Sequence, residues 1–373
     1  MKMRKQISVL WLMTAMVLSS CSLIDDDWSV EETNYELDYE LRLVTNMTTE
    51  LQTQLSTQTE LTLAHSLRTY LSDIFTDFAH DVDLSFYDTQ GDSLRLQHDE
   101  HIMDANQASY TLDLPKRKYM HLAVANIVDN DIVDLVNDDR CHRAKIVLLQ
   151  GDTPAAAGAS TRPAAGGFPD DNVVDSHTTG IFTARESMDI LEGIDQQFNV
   201  HLYMANCSAI LVIDTIDSGV KDFKVFSKGF ATGFNVADSS YIFVNDPPLV
   251  RTNLVTDPDE EDGNMAFCSV TFPSREADND GEHAVTRTII ETEDPFITPL
   301  ADESLWEFHI YATAVDGSTT LTKLFVRRPL RAGQLMIIKA KAHPDGSIDT
   351  PNPTVGVNVI LHWERGGHYD PEL

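Results

Sequence analysis

The residue with the clearest chemistry is Cys21. Met1 to Gln6 carries Lys2, Arg4 and Lys5 and no acid, and Ile7 to Leu18 is almost wholly apolar. That run is too short to cross a bilayer as a helix but suits the apolar core of a signal peptide. Leu18-Ser19-Ser20-Cys21 follows directly. Small residues before a cysteine let a processing peptidase reach the backbone, and the freed thiol can then form a thioether to diacylglycerol. Residues 1–20 therefore read as a lipoprotein signal peptide and Cys21 as the lipidation site, carrying a diacylglycerol and an N-acyl chain. Several acyl chains anchor firmly where one binds marginally. Residues 21–34, with Asp25-Asp26-Asp27, read as an acidic tether.

Other chemistry is sparse. The sequence has no G-x-S-x-G, no H-E-x-x-H and no P-loop. His98 and His101 lie near acids, and Cys141-His142 follow Asp138-Asp139. Adjacent strand residues point to opposite faces, which disfavours a shared metal. Asp257 to Gly263 is superficially like a calcium loop, but its Gly comes one place late and the closing Glu is missing. Asp278 to Glu282 is similar in kind, and both read as solvated acidic loops. With 59 acids, chance pairs of carboxylates are unavoidable and identify no glycosidase. No catalytic residue, cofactor, metal or small-molecule substrate is assigned, and the chain is not expected to be an enzyme. Cys141, Cys207 and Cys268 allow at most one disulfide, a Cys207–Cys268 pair being possible, and no CxxC spacing occurs.

Charge narrows the partners. Loss of Lys2, Arg4 and Lys5 with the signal peptide takes the formal charge from −32 to −35. Such a surface opposes nucleic acid, whose phosphates need clustered Lys and Arg. Beyond the signal peptide no apolar run approaches the length of a membrane span, so the lipid is the expected attachment.

The elements that must carry any site are strands. Tyr35, Leu37, Tyr39, Leu41 and Leu43 alternate strictly with polar residues, the period of a half-buried strand. Leu63, Leu67, Leu71, Ile74, Phe75 and Phe78 recur at helical spacing and predict one long helix over about Glu60 to Ala79. Short apolar runs then follow one another, among them Val82–Phe86, Tyr110–Leu114, Lys118–Asn126, Phe198–Met204 and Ile210–Ile216. Trp306–Val315, Leu321–Arg327, Gln334–Ala342 and Gly356–Trp363 close the chain, with Val357, Val359, Leu361 and Trp363 on one face. No strand–helix alternation appears, so the chain reads as mainly antiparallel β in sandwich form. Gly151 to Gly167 is rich in Ala, Gly, Pro and Thr and marks a linker. The expected organisation is an N-terminal β-sandwich domain at 35–150 holding the helix, a linker at 151–178, and a C-terminal β-sandwich domain at 179–373.

The order of these features resembles the fimbrial anchor lipoproteins of the Bacteroidales (the FimB-type and minor-fimbria anchor family). The likeness rests on Cys21 with Asp25-Asp26-Asp27, the Tyr35–Leu43 strand with Asn46, Val82 to Asp88 running into Gly91, and Tyr110–Leu114 with Pro115 and Tyr119. It rests most on Pro329 to Lys339, Asp345-Gly346, Val355-Gly356-Val357 and His362-Trp363. Two departures stand out: no second Cys follows the acidic run, and His362-Trp363 stands where the family often has Asp-Trp. Gly151–Asp175 and Asp246–Asp294 do not align. The resemblance implies two tandem transthyretin-like sandwiches and a lipid-anchored protein of the outer membrane, exposed at the surface. It further implies a fimbrial (pilus) anchor or minor subunit whose partners are pilin subunits, joined through β-strands. The Tyr35–Leu43 and Gly356–Trp363 strands are the candidate partner edges. Alternatives are a tip or accessory adhesin of the same superfamily and a glycan-binding surface lipoprotein; for the latter the sequence offers only four Trp, one of them Trp11 in the signal peptide.

Overall fold

The computed structural model describes residues 34–43, 61–75, 81–90, 94–102, 109–127, 130–149, 173–191, 196–215, 219–255, 263–276, 285–289, 305–349 and 356–360. The chain begins with β1 (Asn34–Leu43), α1 (Leu61–Phe75), β2 (Val82–Asp88), β3 (Arg95–Ile102), β4 (Ser109–Pro115), β5 (Lys118–Ala125), β6 (Val133–Val136) and β7 (Lys145–Leu148). It continues through β8 (Val173–Val174), β9 (Phe182–Asp189), β10 (Gln196–Met204), β11 (Cys207–Asp214), β12 (Val220–Lys228), β13 (Gly233–Asn235), β14 (Ser240–Ile242), β15 (Leu249–Arg251) and β16 (Asn253–Leu254). The last strands are β17 (Asn264–Thr271), β18 (Val285–Ile289), β19 (Trp306–Ala314), β20 (Thr319–Val326), β21 (Gln334–Ala342), β22 (Ile348–Asp349) and β23 (Gly356–Ile360).

The protein is mainly β, with several open sheets in layers and a single helix among the described residues. One sheet runs β3-β2-β5-β9-β10-β1-β4. A second runs β16-β17-β11-β21-β22, with β23 also on β21, and a third runs β18-β20-β19-β12-β15-β8. A small fourth sheet is ordered β14-β13-β7-β6. Most neighbours are antiparallel, but β1 with β10, β11 with β21 and β15 with β8 are parallel.

Three apolar layers hold the sheets together. β11 shows why its sequence, CSAILVID, runs apolar from Ala209 to Ile213 rather than alternating. Cys207, Ala209, Leu211 and Ile213 pack with Val225, Trp306, Phe308 and Leu324 of the third sheet. Ile210 and Val212 of the same strand pack with Leu84, Leu112 and Val200 of the first. A strand buried on both faces has no polar side to show. The third layer joins Met120, Leu122 and Val124 of β5 to Ile146 and Phe234 of the small sheet.

α1 lies in the middle layer. Leu67, Leu71 and Ile74 are buried at helical spacing and share a cluster with Phe86 of β2 and Cys268 and Val270 of β17, while His65, Thr69 and Asp73 are exposed. The expected helix over Glu60 to Ala79 is thus observed over Leu61–Phe75. The side chains of Leu63 and Phe75, and all of Phe78, lie outside the described residues.

Chain order and sheet order diverge around the expected linker, of which 151–172 lie outside the described residues. β9 and β10, C-terminal to it, complete the sheet begun by β1–β5. The small sheet likewise draws β6 and β7 from one side and β13 and β14 from the other. Where β12 meets the start of β19, Gly229 has φ +106°, and a Cβ there would sit 2.6 Å from the Leu305 carbonyl oxygen. Only glycine accepts both that angle and that approach.

Candidate functional site

The two strands singled out by sequence occupy different settings. β1 is bonded along both sides. Leu37–Leu43 run parallel to Gln196–Leu202 of β10, and Asn34–Glu40 run antiparallel to Pro115–Ser109 of β4. Tyr35–Leu43 is therefore an internal strand of this sheet, not an edge. Its apolar stripe falls in register with core positions on each neighbour: Tyr35 and Leu37 with Leu114 and Leu112, Tyr39 with Phe198, Leu41 and Leu43 with Val200 and Leu202. Leu112, Leu114, Val200 and Leu202 are all buried in the middle layer. The alternation of β1 thus matches the pleat of both partners.

β23 is different. Its residues pair antiparallel with Gln334–Ile338 of β21, placing Val357 and Val359 in register with the buried Ile337 and Leu335. Among the described residues β21 is its single strand partner, and no described strand lies on its far side. An open edge presents unpaired N–H and C=O groups, a template for another strand. Leu361 and Trp363, with Cys21 and the 21–33 tether, lie outside the described residues.

The remaining sequence candidates are dispersed. His101 Nδ1 sits 3.0 Å from Asp83 Oδ1, and Arg143 donates to the other Asp83 oxygen at 2.7 Å. Cys141 is buried while His142 is exposed, and the His142 backbone carbonyl accepts from the Tyr87 hydroxyl. Among the described residues no group of three or more His, Cys, Asp or Glu is placed to hold a metal, and no helix is long and apolar enough to cross a membrane. Asp257–Asp262 and Asp278–Glu282 lie outside the described residues.

Cys207 and Cys268 do not pair; both are free and buried. The β11–β17 register explains it. Cys268 stands opposite Ile210, three residues from Cys207, so the two thiols point to opposite faces of the sheet. Cys207 donates to the Phe272 carbonyl at 3.4 Å, and Cys268 lies 3.2 Å from the Ser208 hydroxyl. Burial pushes both thiols up, Cys268 to about 12.

Buried imidazoles couple these layers to pH. His121 stacks on Phe86 at 4.2 Å and donates from Nδ1 to the Ser85 carbonyl at 3.1 Å. His177 Nδ1 accepts from the Asn206 amide at 2.8 Å, and Asn206 Oδ1 accepts from the Ile181 N–H at 2.6 Å. Burial lowers His121 from 6.5 to about 4 and His177 to about 3. The folded state therefore stays neutral while the unfolded chain takes up protons below pH 6.5. Stability is full above that pH and falls as the pH drops toward 4 and 3. Each histidine should cost about 2 kcal/mol between pH 7 and pH 5. Relief of repulsion among the acids acts in the opposite sense, so the check is comparative. Urea midpoints at the two pH values should differ less in His121→Gln than in the parent, and an unchanged difference would remove His121 from this account.

The fold and the two strands define a class: a layered, mainly β protein with its first apolar strand built into a sheet and β23 paired, among the described residues, with β21 alone. No family model and no curated protein matches the chain. Among solved structures, it is similar to a Bacteroides thetaiotaomicron protein provisionally assigned as polysaccharide-binding, at 8% identity and a TM-score of 0.47, covering 82% of this chain and 92% of the other. A second protein of that organism, provisionally described as an adhesin, gives 10% identity and a TM-score of 0.44 over 87% and 99% of the two chains. The C-terminally truncated tip fimbrial protein Mfa3 of Porphyromonas gingivalis gives 10% identity and a TM-score of 0.36 over 85% and 99%. All three TM-scores lie below 0.5.

Proposed function

We propose that this is a non-enzymatic surface lipoprotein of the outer membrane that joins a fimbrial assembly to the cell, as pilus anchor or minor subunit. The observation that carries the reading is the placement of β1. The strand that begins at Asn34, a short tether after Cys21, is bonded on both flanks. A pull on the tether would load both ladders in shear, across many hydrogen bonds at once, rather than peel an edge. An anchor needs that arrangement, and a tether ending on an exposed loop would lack it. The far side of β23, where no described strand lies, would supply the opposite requirement, a main-chain template for a partner strand.

On this reading the layers group as two tandem sandwiches of the transthyretin-like kind. Each would draw on both halves of the chain, since β13 and β14 join the small sheet and β8 joins the third.

The test is extraction of native membranes in mild detergent, followed by mass spectrometry of what co-purifies. The expected result is acylated Cys21, residues 34–43 still attached, and pilin subunits in a ladder of sizes. A lone lipidated protein that enriches on glycan beads would instead indicate a sugar-binding surface module. A lone protein that enriches on host or bacterial surface protein would indicate an adhesin.

A further inference from the structure

Glu307 and Lys323 are the most deeply buried carboxylate and amine among the described residues, at 0% and 1% exposure. They sit on neighbouring strands, β19 and β20, with His309 between them in the register: His309 stands opposite Lys323, and Glu307 lies two residues before His309 on the same face. Lys323 Nζ is 3.4 Å from Glu307 Oε2, and His309 Nε2 is 2.8 Å from the same oxygen. This face points away from the apolar layer that Trp306, Phe308 and Ile310 fill.

Holding two full charges here is costly. Desolvation of each ion amounts to several kcal/mol. Burial accordingly lowers the Lys323 ammonium below its ordinary range, which favours the nucleophilic free amine. Burial also holds His309 neutral, at about 4, against the opposing effect of its bond to Glu307. An amine, a carboxyl and a neutral imidazole are thus fixed together out of reach of bulk solvent, where held geometry can replace a bimolecular encounter.

We infer that Glu307 and Lys323 form an intramolecular isopeptide bond, with His309 as the proton relay. Nζ of Lys323 attacks Cδ of Glu307. A C–N bond forms and the Cδ–Oε2 bond breaks. Two of the three ammonium protons reach Oε2 by way of His309 Nε2, that oxygen leaves as water, and the third proton stays on the amide nitrogen. Nothing is oxidised or reduced, and His309 ends as it began. Two buried charges become one neutral amide, and the β19–β20 hairpin gains a covalent rung.

The experiment is mass spectrometry of the purified full chain. The linked protein has an intact mass one water below that calculated from its sequence and processing. Trypsin then fails to cut after Lys323 and yields one peptide from Thr288 to Arg327, also one water light. Release of Thr288–Lys323 as a linear peptide overturns the inference. So does a lost water with cleavage at Lys323 intact, since that places the change elsewhere, as at Asp316-Gly317. Lys323→Arg keeps a charged partner for Glu307 but should restore the full intact mass. If that variant does not fold, the parent peptide map decides the matter alone.

Discussion

Replacing Cys21 by Ala should move the protein from a membrane fraction that only detergent releases into the soluble fraction. On the proposed reading the lipid on Cys21 is the membrane attachment, since past residue 20 the sequence has no apolar run long enough for a span. Several acyl chains on one residue hold a protein firmly, each buried methylene adding about 0.8 kcal/mol, and without them a chain of formal charge −35 after processing has no affinity for an anionic bilayer. The substitution lies well before Asn34, where β1 begins, so folding should be untouched. The measurement is fractionation of cells expressing the variant, with thermal melting of the released protein beside the parent. Equal melting and full release fit the lipid anchor. Detergent-only extraction of Cys21→Ala would sink it.

The second large effect belongs to Leu71. Its side chain is wholly buried on α1 and packs in the layer between the first and second sheets. Leu71→Asp removes that packing and places a carboxylate in an apolar cluster. Loss of the leucine alone should cost about 2–5 kcal/mol, and the buried charge adds more. The expected result is loss of the cooperative transition, or a Tm lower by more than about 10 °C. Asp73→Ala on the exposed face of the same helix should melt like the parent. If Leu71→Asp melts unchanged, α1 does not bury this face.

Much of this was legible in the residues. The stripe Tyr35, Leu37, Tyr39, Leu41 and Leu43 gives β1 because alternation is a local property of the pleat. Leu67, Leu71 and Ile74 give α1 for the same reason at the helical period. Less legible was β9, FTARESMD. Glu186 stands in the stripe formed by Phe182, Ala184 and Met188 and breaks the apolar pattern. Partial burial raises its carboxyl, with the charge of His201 opposing. β6, β13, β15 and β16 are too short to carry a periodic signal, whereas the Tyr241–Val244 run reads as a strand and meets β14.

The sequence by itself determined the strand-rich pattern, the one helix among the described residues and the alternation of β1, because each depends on residues a few positions apart. Only the tertiary structure decided which strands meet. β1 pairs in parallel with β10 across more than a hundred and fifty residues, and β11 pairs in parallel with β21 across more than a hundred and twenty. Alternation tells a strand which face to bury but not which neighbour to bond, since every backbone offers the same donors and acceptors. The opposite facing of Cys207 and Cys268, the closeness of Glu307 to Lys323 and the setting of β1 inside its sheet all follow from that pairing, which the packing of the layers selects.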